Sequence, residues 1–457
     1  MEKYITAIDF GTTKIRALIG KKNASGKFHI IAHHEDDAEG VVQGEVENIL
    51  QAGNVLKSIL NDLRAQLEKI ESPSSVDFMK VVYAGIGNIR YIKEKISELR
   101  ETPEDVISKQ EVDTLRQKMH HVQLNENEKI LDIIPQRYCV DGRTTAEPVG
   151  CTGHRLEAEF HVFIGSKSQN NVRRSMEHAE IALKDVVLSN IAAAEAVLHK
   201  EEKETGVAVV NFGGGTTNLV VYHGGILRHT AVIPFGGNDI TEDIRQGCRI
   251  IQRHAEQLKV QHGSCYSDMV KRNVTITVPG IGGGEAREVS QKTLANIIEA
   301  RVAEITEAVL YEMQHSGYDG CLDAGMVITG GGAHLGDIVE YMKYKTGMEV
   351  RKGEPLYLIS APSCANVNYA TAAGLLLKGM EAEERIPELV LVAPENEPRR
   401  RSLFGRNNPT KKTLTPEREP KPKQEEARTK PVEKQWMGGL FDKVSDFIDK
   451  TFTDDIA

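Results

Sequence analysis

Residues 207–222 read VAVVNFGGGTTNLVVY: an apolar run, a polar residue, a glycine cluster, two threonines and a second apolar run. Residues 5–19, ITAIDFGTTKIRALI, repeat the design. In each, a predicted strand ends at a polar side chain, Asp9 or Asn211. The chain then reverses through glycine, and hydroxyl residues lead into a second strand. Glycine lets backbone approach a phosphate closely, and the exposed N–H groups of such a turn form an anion-binding nest. Threonine hydroxyls add donors. Asp9 is placed to hold a hydrated Mg²⁺ beside the phosphates, and Lys14 to neutralise phosphate charge. A single glycine hairpin is usually only a hairpin. Two matching copies at the starts of successive α/β units imply duplicated lobes facing one another, each lending a loop to one side of a polyphosphate.

A third glycine cluster lies in AGMVITGGGAHL, residues 324–335, where a buried strand runs into Gly330, Gly331 and Gly332 ahead of a helix start. A flat glycine turn at a strand end is a good seat for a nucleoside, because no side chain obstructs base or ribose; the plain alternative is a tight strand-to-helix crossover. RHAEQLKVQHG, residues 253–263, reads as a helix with Glu256 and Lys259 three apart on one face, where the plain alternative is a solvated pair. VPGIGGGEAREV, residues 278–289, lacks a following Thr-Thr strand and reads as a loop.

A chain of 457 residues is too long for one ordinary domain. Its 40% apolar and 27% charged residues fit a soluble globular protein, strand-like and helix-like segments alternate up to about Pro394 as in an α/β protein, and a net charge of −9 gives no reason to expect nucleic-acid binding. Six scattered cysteines, with no CxxC pair, argue against a zinc site or a disulfide framework and fit a reducing cytoplasm. The opening MEKYITAIDFG runs straight into a strand, without a basic region or hydrophobic signal core. No apolar stretch approaches the 18 residues or so of a membrane span. The body is therefore expected in the cytoplasm.

From Pro394 to Lys434 the texture changes to proline and charge, so a disordered linker is expected there. Residues 399–435 hold twelve Lys/Arg against five Asp/Glu. Beyond it, WMGGLFDKVSDFIDKTFTDDIA places Trp436, Met437, Leu440, Phe441, Val444, Phe447, Ile448 and Phe452 within one helical arc of about 160°. Three fates are open to such a helix: docking on the protein's own core, insertion into a partner's groove, or lying in a membrane interface. Bulk of this kind at the end of a tether favours the membrane. Its polar face carries more Asp than Lys, so attraction to anionic lipid would have to come from the basic linker.

In order, DFGTTK, NFGGGTTN, AEQLK and ITGGGAHL resemble the actin, heat-shock chaperone and sugar kinase superfamily. GTTKIRALIG, IIPQRYCVDG followed by PVGCTG, GGILRHTAVIPFGGNDIT and the amphipathic ending resemble, within it, the FtsA family of actin-like bacterial cell-division proteins. The resemblance implies an α/β, two-lobed actin-like ATPase fold in which one subdomain is relocated. The first lobe core is then expected over 1–85, 166–204 and 356–393, with the inserted subdomain at 86–165. Within that insertion a helix is expected near Pro103–Val122 and strands at Ile130–Val140 and Leu156–Ile164. The second lobe core is expected over 205–237 and 321–355, and its outer subdomain over 238–320. Residues 394–434 and 435–457 are expected as the disordered basic linker and the amphipathic membrane-targeting helix. The resemblance also implies ATP and Mg²⁺ as cofactors. Gly11, Thr12, Thr13 and Lys14 would grip phosphate from one side, and Gly213, Gly214, Gly215, Thr216 and Thr217 from the other. Gly330, Gly331, Gly332 and Ala333 would seat the adenosine, with Glu256 and Lys259 reaching ribose or base. Implied partners are FtsZ, further copies of the chain in protofilaments, membrane lipid and other division proteins, at the inner face of the cytoplasmic membrane at the division site.

One departure stands out. The family's second loop usually carries an acid before the glycines and another after the threonines; here Asn211 and Asn218 occupy both places. An amide can hydrogen-bond a metal-bound water but cannot neutralise the metal or take a proton from an attacking water. ATP binding with very slow or absent hydrolysis is therefore expected. Three rival readings are a sugar or acetate kinase, which needs a carboxylate base; a chaperone ATPase, for which no substrate domain remains; and a PilM-like scaffold of pilus assembly, which lacks this kind of tail.

Overall fold

Both quoted stretches fold as antiparallel hairpins, and each begins a five-stranded sheet. The computed structural model describes residues 4–385 apart from 23–27, 71–81, 88, 126–127, 166–167, 281, 283 and 357–361. The expected linker and amphipathic helix lie outside the described residues.

In chain order, the first lobe opens with β1 (Tyr4–Phe10), β2 (Lys14–Lys22), β3 (Phe28–Asp37), the short pair β4 (Val41–Val42) and β5 (Glu45–Val46), α1 (Ile49–Ile70) and β6 (Val82–Ile86). An insertion follows, with β7 (Ile89–Leu99), α2 (Lys109–Lys118), β8 (Lys129–Val140), β9 (Arg143–Thr145) and β10 (Arg155–Gly165). The chain returns through α3 (Ser168–His178), β11 (Asp185–Leu188) and α4 (Ser189–Val197). The second lobe contains α5 (Lys200–Thr205), β12 (Val207–Phe212), β13 (Thr217–His223), β14 (Ile226–Ile233), α6 (Gly237–Cys248), α7 (Gln252–His262), β15 (Thr275–Val278), β16 (Arg287–Ser290), α8 (Gln291–Ser316), β17 (Met326–Thr329), α9 (Ile338–Thr346) and β18 (Val350–Lys352). Helix α10 (Ala370–Arg385) packs back on the first lobe, against β1, β2 and β6.

The two large sheets share one topology. Their orders are β3-β2-β1-β6-β11 and β14-β13-β12-β17-β18. In each, three strands form an antiparallel meander and two more join in parallel on the far side of the first strand. The central strands are buried on both faces, so β1 and β12 read as continuous apolar runs rather than alternating ones. This is the duplication implied by the repeated turn.

The insertion builds its own sheet, ordered β7-β10-β8-β9. Its core gathers Phe160, Val162 and Ile164 of β10 with Ile133, Ile107 and Leu115. The helix begins at Lys109, about two turns later than the stretch from Pro103 suggested. Ser108 caps it: its hydroxyl accepts from the Glu111 amide, and the Glu111 carboxylate accepts from the Ser108 amide. Strand β7 went unread because the charges of IRYIKEKISEL, at Arg90, Lys93, Glu94, Lys95 and Glu98, break strict alternation, and such charge clusters also mark a solvated helix face. The insertion meets the second lobe through Tyr91, whose hydroxyl lies 2.8 Å from His229 Nδ1, and through Gln136, which donates to the Leu227 carbonyl.

Helices α4 and α10 cross at backbone contact. SNIAAAEAV is buried nearly all round, and Gly374 of α10 faces it where a methyl group would overlap the Ala192 carbonyl oxygen. A glycine inside a helix costs about 1 kcal/mol relative to alanine, so here the close approach outweighs propensity. Gly374→Ala is expected to destabilise the protein by about 1–3 kcal/mol through overpacking, although alanine is the better helix former. A lowered denaturation midpoint checks this; a raised one would mean that the crossing relaxes freely.

Candidate functional site

The turn between β1 and β2 and the turn between β12 and β13 are closed identically. The Gly11 amide donates to the Lys14 carbonyl at 3.1 Å, and the Gly213 amide to the Thr216 carbonyl at 2.9 Å. A Cβ on either glycine would lie 2.7 Å from that same carbonyl oxygen, which is why both positions are glycine. The turns touch across the lobes: Gly214 abuts the methyl of Thr13, and Gly215 lies against the Thr12 hydroxyl.

Their carbonyls are already engaged. Gly213 O and Gly214 O accept the amides of Gly237 and Asn238 at the start of α6, and Thr13 O accepts the Ala38 amide. The Thr12 hydroxyl accepts the Gly44 amide at 3.0 Å. Among the described residues the amides of Thr12, Thr13, Gly214 and Gly215 have no such partner. The rim where the lobes meet is thus rich in unpaired donors, as an anion-binding nest requires.

These turns edge a cleft of about 780 Å³. Of the residues singled out from sequence, Asp9, Gly11, Thr12, Thr13, Lys14, Asn211, Gly213, Gly214, Thr216, Asn218, Glu256, Lys259, Gly330, Gly331 and Gly332 all line it. Three do not. Thr217 is fully buried and its hydroxyl donates to the Phe235 carbonyl at 2.9 Å, so it braces the loop before α6. Ala333 lies in the second-lobe core, and Gly215 faces the opposite turn rather than the cleft. Lys259 lines the cleft but is heavily used: Nζ donates to Gly237 O at 2.8 Å and to the Thr241 hydroxyl at 2.7 Å, and pairs with Glu256 at 2.7 Å. Gly330 takes φ +82°, and a side chain there would strike the Asn211 carboxamide.

Sequence reading missed the start of α6. Gly236 is wedged so tightly that a Cβ would lie 2.7 Å from both Gly213 O and Gly214 O, and Gly237 and Asn238 line the cleft. The signal was present in PFGGNDIT, a glycine pair followed by the acid Asp239, whose carboxylate accepts the Gly236 amide. Arg16, Arg253, Asn368 and Thr371 also line the cleft, and no sequence signal assigned them a role there.

Asp9 is 9% exposed, and among the described residues its carboxylate has no hydrogen-bond partner. Burial pushes its pKa up to about 6, partly offset by the positive charge of Arg16. On the other lobe Asn218 Oδ1 is buried and equally unpartnered, while its Nδ2 reaches only the Thr216 hydroxyl at 3.5 Å. Two unpaired acceptors at one cleft suit a hydrated divalent cation, whose waters donate to both.

The insertion, residues 91–164, matches the family model described as "SHS2 domain inserted in FTSA", and residues 208–374 match "Cell division protein FtsA". Cell division protein FtsA of Neisseria meningitidis serogroup B is 32% identical over 399 residues, covering 86% of this chain and 93% of that one. The chain belongs to the FtsA family. FtsA of Bacillus subtilis is 30% identical, covering 82% and 83% of the two chains, and FtsA of Escherichia coli K12 is 29% identical, covering 83% and 91%. Among solved structures, the PilM-PilN type IV pilus biogenesis complex aligns with TM-score 0.59 at 15% identity, covering 82% of this chain and 98% of that one. MreB 5 of Spiroplasma citri bound to AMPPNP aligns with TM-score 0.50 at 14% identity, covering 84% and 97%. These two establish the actin-like fold and nothing beyond it. Membership of the FtsA family gives the chain the role of an actin-like cell-division protein.

Asp9→Asn is expected to stabilise the unliganded protein. A carboxyl pKa raised from 3.8 to about 6 makes the ionised form cost about 3 kcal/mol above pH 6. The native state holds its proton longer than the unfolded chain, so this cost fades as pH falls through 6 and disappears below 3.8. The gain from Asp9→Asn is largest at pH 7 and about half as large at pH 5. Denaturant titrations at both pH values check it; a destabilised variant would show that Asp9 is held by contacts of its own.

Proposed function

We propose that this FtsA-family protein binds ATP in the cleft, assembles with its own copies into actin-like protofilaments, and tethers the FtsZ ring to the inner face of the cytoplasmic membrane at the division site. The observation that carries the nucleotide part is the meeting of two identically closed glycine turns from opposite lobes, with unpaired amides beside the buried carboxylate of Asp9. Thr12, Thr13 and Gly214 would hold phosphate oxygens through backbone N–H groups. Gly331, open above a glycine turn braced by Phe212, would leave room for the nucleoside. Asp9, with Asn211 and Asn218 across the cleft, would hold Mg²⁺ through its waters. A bound Mg²⁺ would supply charge neutralisation for the phosphate chain. The subdomain limits expected from sequence belong to this reading.

At the second turn Asn211 and Asn218 offer carboxamides, which cannot deprotonate a water, so the cleft works as a clamp that senses nucleotide and turns over slowly. Phosphate release with Mg²⁺ should be at background level, and Asn211→Asp with Asn218→Asp should raise it. Brisk release by the natural protein that Asp9→Asn abolishes would overturn the clamp.

Membrane attachment rests on the sequence pattern of Trp436, Met437, Leu440, Phe441, Val444, Phe447, Ile448 and Phe452, which would share one apolar face if the segment is helical, behind a basic stretch. No helix among the described residues is long and apolar enough to cross a membrane. Liposome co-sedimentation with ATP and Mg²⁺ tests the reading. The full chain should pellet, a chain cut before Trp436 should stay in solution, and FtsZ should pellet only with the full chain. If the full chain also stays in the supernatant, the helix seeks a protein groove instead.

A further inference from the structure

Beside the turns, the cleft face of the first sheet carries a row of charge. In register across β1, β2 and β3 stand Asp9, Arg16 and Glu35. Arg16 Nε donates to Glu35 Oε2 at 2.7 Å, and the guanidinium lies 5.6 Å from the centre of the Tyr369 ring. That fixes one edge and one face of the group. Its two terminal nitrogens have no partner among the described residues, although the side chain is only 15% exposed and lines the cleft. The other cleft cations are differently placed. Lys14 pairs with Asp37 at 2.8 Å, Lys259 is held by three acceptors, and Arg253 is exposed. At the matching register position in the second lobe the residue is Asn218, which faces Asn211.

We propose that Arg16 contacts the nucleotide's phosphate chain and lets the cleft hold that chain without a divalent metal. This rests on the nucleotide reading above. A guanidinium gripped along one edge presents its remaining N–H groups as a fixed fork for two oxygens of a phosphate. Without Arg16 the row would be two carboxylates and would repel a polyphosphate until a metal arrived. With it, the cation closest in register to Asp9 is built into β2.

Calorimetric titration of the full chain with ATP and with ADP, in Mg²⁺ and in EDTA, tests this. The natural protein should keep ATP binding in EDTA, within about tenfold of its affinity in Mg²⁺. Arg16→Ala should lose about 10- to 100-fold in EDTA and clearly less in Mg²⁺. Arg16→Lys should recover part of the loss, and Glu35→Gln, which keeps the cation, should leave the ratio of the two affinities unchanged. Melting curves of each variant identify any that fail to fold, and Arg16→Lys then carries the comparison. An equal loss in both buffers, or none, would make Arg16 only a brace between β2 and β3. An absolute requirement for Mg²⁺ in the natural protein would also overturn the proposal while leaving the nucleotide reading intact. If ATP binds in neither buffer, both fall together.

Discussion

The cleft depends on one steric constraint: two backbone turns from opposite lobes approach each other and the start of α6 more closely than any side chain would permit. Gly214 lies on Thr13, Gly215 on Thr12, and Gly236 on the carbonyls of Gly213 and Gly214. Hydrogen bonding follows from that approach. Because α6 takes the carbonyls of the second turn with the amides of Gly237 and Asn238, the unpaired groups left at the rim are donors. A helix start normally offers its own free amides to an anion; here they are spent on holding the turn, and the turn presents donors in their place.

The lobes are alike in topology and unlike in charge. The first sheet sets Asp9, Arg16 and Glu35 in one cross-strand row, with Lys14 and Asp37 in the next. The corresponding row of the second sheet is Asn211, Asn218 and Val232. Two carboxylates facing each other across a narrow, poorly solvated cleft would each resist ionisation. Amides on one side remove that repulsion, so the turns can rest in contact without a cation between them. Asp9 still carries the desolvation cost of its burial, offset in part by the charge of Arg16.

Legibility followed locality. The hairpins could be read because the pattern that makes them, an apolar strand, a polar end, glycine and hydroxyls, is contiguous in VAVVNFGGGTTNLVVY and ITAIDFGTTKIRALI. Helix α7 was legible from its periodicity, and the glycine turn after β17 from its strand. Arg16 was not legible, because nothing in KIRALI distinguishes a cleft residue from a solvated strand position; only the pairing of β2 with β1 and β3 does. Thr217 was misplaced for the same reason. Two adjacent threonines look alike in sequence, but strand alternation sends Thr216 to the cleft and Thr217 inward to the Phe235 carbonyl. Strand β7 was lost to its charges, and the start of α6 to a glycine pair whose purpose lies in a turn more than twenty residues upstream.

What braces that start of α6 is a buried ion cluster on α8. Arg301 grips Asp243 of α6 with two hydrogen bonds, at 2.7 and 3.0 Å, pairs with Glu304 at 2.5 Å, and lies 5.6 Å from the centre of the Phe235 ring. Phe235 in turn supplies the carbonyl that Thr217 binds, one residue before the wedged Gly236. Farther along α8, Glu312 meets His229 at 3.0 Å, and His229 meets Tyr91 of the insertion. The same rigid helix therefore touches the brace behind the second turn and, about three helical turns on, the contact between the second lobe and the insertion. Buried ion pairs of this kind tolerate little change in geometry before they become costly. Through these contacts α8 links the brace behind the second turn to the contact between the second lobe and the insertion.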